Sequence, residues 1–97
     1  MHSSAINRED IKIGNVLAVQ GDVALKYVRV VIEIINDAYT YVYIGYMGSA
    51  DRINYFTDGA QIHRTKMYPG ESYAKLTNLR LPIKLKGSII TNLFQKR

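Results

Sequence analysis

The clearest hydrophobic pattern in the chain runs from Lys26 to Ser49, where two stretches rich in β-branched and aromatic residues flank Asn36 and Asp37. Asn and Asp tolerate tight turns, so the pattern predicts an antiparallel β-hairpin. The opposite face of the leading strand is mixed, because Arg29 and Glu33 stand there among apolar residues, and charges in such a setting need partners or serve a function. Alternation along the leading strand puts Val28, Val30, Ile32 and Ile34 on one face, which is therefore predicted to be apolar, and Arg29 and Glu33 on the other.

Shorter patterns predict strands on both sides of the hairpin. Residues 11–20 alternate apolar and polar side chains, with an interruption at Gly14-Asn15 that is typical of a bulge or a close backbone approach. Residues 61–67 and 72–79 predict two later strands. Between them, Tyr68-Pro69-Gly70-Glu71 has proline and glycine where a turn uses them.

The remaining segments have weaker patterns. Residues 1–10 lack a periodic apolar signal and are expected to form a flexible tail, which leaves residues 11–97 as a single domain. Residues 50–58 fit a short helical turn or a loop, and residues 88–94 fit either a last strand or a short amphipathic helix. Short strands, frequent turns and little helix predict an all-β fold. We expect a small, strongly bent sheet of about five to seven strands, SH3-like or OB-like, with at most one or two short helical turns.

Composition removes several classes of site. The chain has no cysteine, which excludes disulfides and cysteine metal sites. Its two histidines, His2 and His63, are too few for us to expect a transition-metal site, and we expect no cofactor. No apolar run approaches the ~20 residues that cross a bilayer, and the N-terminus lacks a signal pattern. We therefore expect a cytoplasmic protein without a membrane partner.

Charge is distributed unevenly. Residues 1–51 carry four Lys or Arg against six Asp or Glu, whereas residues 52–97 carry nine against two, so the net charge changes from −2 to +7. Phosphates attract clustered Lys and Arg, which makes RNA or DNA the expected partner of the later half. The alternative is a basic surface that only contacts solvent.

Three segments stand out in order along the chain: Ile13-Gly14-Asn15-Val16, the run from Arg29 to Asp37, and the run from Glu71 to Arg80. Together they resemble the MazF/PemK-like endoribonuclease toxins of toxin–antitoxin systems. The corresponding family segments are Arg-Gly-Asp-Val, an Arg-Pro-apolar run ending in Asn-Asp, and an Asp-Ser-apolar run ending in Gln-Ile-Arg. The chain departs from the family at Asn15, in place of Asp, and at Val30, in place of proline.

The resemblance implies an SH3-like barrel that forms a homodimer, cleaves single-stranded RNA without a metal and is neutralised by an antitoxin protein. In the family, the catalytic pair is the arginine that opens the Arg-Pro strand and a threonine that ends the following strand. Arg29 matches the arginine. The threonine position falls on Gly48 or Ser49, so Ser49 is the nearest hydroxyl.

The candidate catalytic residues are Arg29, Ser49 and His63. Attack by a ribose 2′-hydroxyl gives a strongly anionic transition state, to which a guanidinium offers parallel N–H donors. Ser49 could hydrogen-bond the 2′-hydroxyl or a phosphate oxygen, and a histidine, which titrates near neutrality, can act as a general base. The structural alternatives are an ion pair between Arg29 and a carboxylate on a neighbouring strand, a turn residue at position 49 and an exposed strand histidine.

The candidate RNA-binding residues are cationic or aromatic, because cations neutralise phosphates and aromatic rings stack on bases. The cations are Arg64, Lys66, Lys75, Arg80, Lys84 and Lys86, and the aromatic residues are Tyr46 together with Tyr41, Tyr43 and Tyr68. The tyrosines fit a sheet core or a dimer interface as well.

The leading hypothesis from sequence is a toxin-like, metal-independent endoribonuclease that acts on single-stranded RNA. The alternative is a non-catalytic module on the same barrel that binds nucleic acid or protein, as a degenerate toxin relative or a phage regulator would. A homodimer is expected because Ile35, Tyr39 and the apolar residues of 88–94 exceed what one small barrel needs to bury.

Overall fold

The computed structural model describes residues 1–20, 25–48, 52–56 and 62–80. These residues confirm the all-β prediction, and their strand number falls in the predicted range. Among them, no helix is long and apolar enough to span a membrane. The strands are β1 (His2–Ile6), β2 (Val16–Gln20), β3 (Lys26–Ile35), β4 (Ala38–Met47), β5 (Ile53–Tyr55), β6 (Ile62–Lys66) and β7 (Ser72–Thr77), and a 3-10 turn spans Arg8–Asp10.

The sheet is organised on β4. All its pairings are antiparallel, and the strand order is β1-β7-β2-β3-β4-β5, with β6 also pairing with β4. Residues 38–42 of β4 pair with β6 and residues 45–47 pair with β5, so two short strands share the edge of β4 away from β3. The result is the bent sheet of a small barrel-like fold.

The β3–β4 hairpin forms as the sequence predicts. Ile35 pairs with Ala38 across a turn at Asn36 and Asp37. Asn36 has a φ of 55°, a left-handed conformation that asparagine adopts more readily than most residues. The hydrophobic runs on either side of this turn can therefore pair along their full lengths.

The two faces of the central strands carry different side chains. One face packs as an aliphatic core, which we call the valine face; its central members are Val28, Val30, Val42 and Ile44. The other face, which we call the tyrosine face, packs as a second cluster around Leu17, Val31, Tyr39 and Tyr41. Strand register also places Arg29, Tyr43 and His63 on the tyrosine face.

A bulge in β3 changes which face its last residues use. Val31 pairs with Tyr41 and Glu33 pairs with Thr40, so Ile32 is an extra residue between the two pairs. Ile32 packs in the valine-face cluster, whereas Ile34 packs against the tyrosine-face cluster. Simple alternation predicts that both isoleucines lie on one face. This prediction is wrong for Ile34, because the extra residue at the bulge reverses the alternation after Ile32.

The N-terminal region differs from the sequence prediction. Residues 1–10, expected to be a flexible tail, contain β1 and the 3-10 turn, and β1 pairs with β7 from His2 to Ile6. Backbone hydrogen bonds hold this strand, whose side chains are mostly exposed, so no apolar periodicity marks it. The strand predicted over residues 11–20 begins only at Val16.

The segment before β2 makes the close backbone approach that Gly14-Asn15 indicates. Gly14 has a φ of 93° and donates its N–H to the Val31 carbonyl at 2.7 Å, and the Val31 N–H donates to the Asn15 carbonyl at 3.0 Å. The region 50–58, predicted as a helical turn or a loop, contains the three-residue strand β5. The predicted segment 88–94 lies outside the described residues.

Gly45 allows β5 to lie unusually close to β4. A Cβ at this position would overlap the Asn54 carbonyl oxygen and lie 3.1 Å from both the Asn54 carbonyl carbon and the Tyr55 Cα. We expect Gly45→Ala to lower the free energy of unfolding by about 1–3 kcal/mol, because β5 must shift to make room. Urea unfolding measures this loss. Gly48→Ala is the matched control, since a Cβ there meets nothing within 4 Å, and an equal loss in both variants would contradict the prediction.

Candidate nucleic-acid interface

Arg29 on β3 is held by two tyrosines of β4. Its Nη1 donates a hydrogen bond of 2.7 Å to the Tyr39 hydroxyl, and its guanidinium carbon lies 4.3 Å from the centre of the Tyr41 ring. Tyr39 is fully buried and Arg29 is half-buried. Arg29 makes no ion pair within the described part of the chain, so its partners are a phenol and an aromatic ring, where sequence analysis suggested a neighbouring carboxylate.

The Arg29 guanidinium keeps unused hydrogen-bonding capacity. A guanidinium has five N–H donors, and the contact with Tyr39 uses one of them. The Nε atom is buried without a hydrogen-bond partner among the described residues. Buried unpaired donors are rare in folded proteins and call for an explanation. Because Nε is enclosed, oxygen atoms of a ligand could meet only the terminal N–H groups of Arg29 that the bond to Tyr39 leaves unused.

His63 on β6 reaches the same tyrosine from the other side of β4. Its ring stacks on Tyr41 with centroids 5.6 Å apart and an angle of 24° between the planes. The His63 and Tyr43 rings make an edge contact, with their centroids 6.5 Å apart. His63 is exposed, so its imidazole is open to solvent and to ligands. The structure therefore brings two of the three predicted catalytic residues, Arg29 and His63, to one tyrosine ring, and the third, Ser49, lies outside the described residues.

Further aromatic rings extend the tyrosine face along β4. Tyr43 contacts Phe56 at 4.7 Å and Tyr27 at 5.4 Å between ring centroids. Phe56 also contacts the predicted stacking residue Tyr46 at 6.2 Å. Contiguous aromatic rings beside cationic groups are typical of surfaces that bind single-stranded nucleic acid.

Two predicted phosphate-binding residues lie on the opposite face. Arg64 and Lys66 flank Thr65 on β6, and alternation puts both away from His63. Arg64 Nη1 lies 3.6 Å from Glu33 Oε1, which also accepts a hydrogen bond of 3.3 Å from the Thr40 hydroxyl. Glu33, unexplained by sequence, thus joins β3, β4 and β6 on the valine side of the sheet.

The other predicted cations are divided between two locations. Lys75 stands on the tyrosine face: Leu17 pairs with both Arg29 and Lys75, so these two cations are two strands apart, roughly 10 Å. Arg80 lines a separate cavity of about 340 Å³ with Arg52 and Asn78. Lys84 and Lys86 lie outside the described residues.

Two contributors to the candidate site, Tyr39 and Phe56, are not among the residues that the sequence predicts for it. Tyr39 was assigned to a dimer surface, yet it is 0% exposed and orients Arg29 from within the core. Phe56 lay in a segment without a periodic pattern, and its backbone N–H donates to the Ile44 carbonyl at 3.0 Å. The repeated Tyr-x-Tyr-x-Tyr spacing from 39 to 43 was the available signal, because it puts three rings on one strand face.

Burial raises the pKa of four tyrosines, among them Tyr43, whose pKa rises to about 12, and Tyr39, where Arg29 opposes the rise. For Tyr73, Glu71 adds to the effect of burial on the pKa, and burial alone raises the pKa of Tyr55. The folded state therefore favours the neutral phenols. For Tyr43 the stability contributed in this way is complete below pH 10 and is lost as pH rises through about 12.

We expect the free energy of unfolding to fall less steeply between about pH 10 and pH 12 in Tyr43→Phe than in the natural chain, because the variant lacks one of these phenols. Urea unfolding across this pH range measures the two slopes. Tyrosinate absorbance provides an independent check, since Tyr43→Phe should remove one late-titrating group. Parallel slopes with an unchanged absorbance titration would contradict the assignment.

The described residues place no set of metal donors at the site. Among residues 1–20, 25–48, 52–56 and 62–80, no group of three or more His, Cys, Asp or Glu side chains is placed to hold a metal ion.

In comparisons with known proteins, no family model matches the chain, and neither does any curated protein or solved structure.

Proposed function

We propose that this chain binds single-stranded RNA on the tyrosine face and cleaves it without a metal, as a toxin-like endoribonuclease. The observation that carries the proposal is the shared contact at Tyr41, which places a permanent cation, Arg29, and an exposed imidazole, His63, against one ring. A phosphate needs the first group and a proton transfer needs the second.

The proposed reaction uses the RNA's own nucleophile. The 2′-oxygen of a ribose attacks the adjacent phosphorus as His63 takes the hydroxyl proton, and the bond from phosphorus to the 5′-oxygen breaks. The leaving oxygen takes a proton from water, and the hydroxide that remains takes the proton held by His63, which restores the neutral imidazole. The products are a 2′,3′-cyclic phosphate and a 5′-hydroxyl. The free N–H donors of Arg29 stabilise the additional negative charge on the phosphate oxygens in the transition state.

A cleavage assay in EDTA tests this function. Purified protein is incubated with a long single-stranded RNA, with a perfect duplex of the same sequence, and with the single strand carrying 2′-O-methyl groups. We expect cleavage of the first RNA only, since the duplex covers its bases and the methyl groups remove the nucleophile. Uncut single-stranded RNA, or products ending in a 3′-hydroxyl, would contradict the proposal.

The second candidate is a non-catalytic nucleic-acid-binding module. The anchoring of Arg29 favours it, because a half-buried guanidinium tied to Tyr39 also serves as a fixed part of the fold. Such a module would bind RNA or DNA in a salt-dependent manner without forming products. Binding measured at several salt concentrations, beside the cleavage assay, separates the two candidates.

The resemblance to toxins adds proposals about partners and location. We propose a cytoplasmic homodimer that an antitoxin protein neutralises by covering the tyrosine face. The cations Arg29 and Lys75 on this face favour an acidic covering segment. Light scattering tests the dimer, and competition between RNA and an acidic peptide tests whether both partners use the same face.

A further inference from the structure

The tyrosine face continues into an exposed aromatic pair beyond Tyr43. Tyr46 is 37% exposed and Phe56 is 36% exposed, and their ring planes meet at 46° with centroids 6.2 Å apart. Phe56 also contacts Tyr43, whose own ring touches His63. A continuous row of rings therefore leads from the proposed reaction site to this pair.

An amide side chain lies beside the aromatic pair. Asn54 on β5 stands directly opposite Tyr46 on β4, and residues directly opposite in an antiparallel pair project from the same face. Asn54 is exposed. A side-chain amide carries donors and an acceptor in one plane, and this combination can read the edge of a nucleobase.

The backbone fixes these three side chains relative to β4. Asn54 lies within the three-residue pairing of β5, and Phe56 is held by the hydrogen bond from its N–H to the Ile44 carbonyl. Gly45 permits the close approach of β5 on which both depend. A site on such paired backbone is preorganised, which reduces the entropy lost when a ligand binds.

We propose that Tyr46, Asn54 and Phe56 form a subsite for one unpaired nucleobase, which stacks on the rings while the Asn54 amide reads its edge. This inference rests on the proposed RNA-binding function and specifies part of its substrate: a base free to leave its stack, close to the phosphate at Arg29. The cations Arg29 and Lys75 on the same face favour an anionic strand over an apolar peptide as the occupant.

The test measures binding of short single-stranded RNA homopolymers of the four bases, made uncleavable with 2′-O-methyl groups. We expect Phe56→Ala to weaken binding about 5- to 150-fold, which corresponds to about 1–3 kcal/mol for one stacked base. Tyr46→Leu should also weaken binding, although it keeps an apolar side chain of similar size. Affinity for a duplex of the same length should not change.

Two further variants isolate the contributions. Asn54→Ala should reduce the differences in affinity among the four homopolymers, because it removes the group that reads the base. Ile62→Ala is the matched control: Ile62 is 50% exposed and pairs with Val42 of the valine face, so it lies on the side of the sheet opposite the tyrosine face. It should bind as the natural chain does.

The outcomes separate this inference from the function on which it rests. Unchanged affinity in both Phe56→Ala and Tyr46→Leu would overturn the subsite and leave RNA binding in place. Absence of single-stranded RNA binding by the natural chain would overturn both. If the variants bind RNA more weakly but the natural chain cuts no RNA, the subsite is supported and the cleavage proposal is overturned.

Discussion

Replacing Arg29 by alanine is expected to lower the rate of RNA cleavage by about 10²- to 10³-fold, the typical effect of losing one preorganised donor to a transition-state oxyanion. The guanidinium lies 4.3 Å from the Tyr41 ring centre, and its bond to Tyr39 uses one of its five N–H donors. Arg29→Lys should recover little of the rate, because an ammonium keeps the charge but not the parallel donors. Single-turnover cleavage of a short single-stranded RNA measures the effect.

The controls must separate this chemistry from folding. Arg29→Ala leaves the buried Tyr39 hydroxyl without its partner, at an expected cost of about 1–3 kcal/mol in stability. The double variant Arg29→Ala/Tyr39→Phe removes both partners, so its stability should recover while cleavage stays low. Arg64→Ala makes the same chemical change on the opposite face and should leave cleavage almost unchanged. Recovery of cleavage in the double variant would show that Arg29 acts only through the fold.

Replacing His63 by phenylalanine is expected to lower the cleavage rate by about 10²- to 10⁴-fold, the usual contribution of a positioned general base. Phenylalanine can keep the stacking on Tyr41, which His63 makes at 5.6 Å, so the variant removes the proton acceptor and little else. The measurement is the rate of single-turnover cleavage.

Chemical rescue sharpens the test of His63. In His63→Ala, added imidazole can occupy the vacated space beside Tyr41 and accept the proton, so cleavage should increase with imidazole concentration. The same imidazole should not rescue Arg29→Ala, which lacks a different group. Full activity in His63→Phe would assign His63 to the sheet surface and leave the base to another group.

The fold could be predicted where the sequence expresses period-two hydrophobicity. Both strands of the β3–β4 hairpin show this alternation, and Asn36-Asp37 is a turn signal between them. The sequence therefore predicts the hairpin and the position of its turn. β1 could not be found, because it is held by backbone pairing to β7 and leaves its side chains exposed. β5 has only three residues, fewer than a periodic signal needs.

The sequence offers candidate site residues one by one, but not their arrangement. Arg29 and His63 were selected for their chemistry, and their common partner Tyr41 became visible only with the β3–β4–β6 register. Charge alone makes Arg64 and Lys66 candidates for phosphate binding, but alternation along β6 puts both on the face opposite His63. The bulge at Ile32 has no local signal either, since Val-Val-Ile reads as an uninterrupted strand.

The division of β4 between two short partners has a consequence for amide hydrogen exchange. Arg29 and Tyr41 belong to a hairpin paired over nearly ten residues on each strand, whereas Phe56 depends on a neighbouring strand of three. Amides of the hairpin should exchange only through near-global unfolding, and those of β5 through local opening of much lower free energy. A base bound at the subsite would stabilise the paired state of β5 against this local opening. Single-stranded RNA should therefore slow hydrogen exchange at the Phe56 amide and leave exchange of the hairpin amides unchanged.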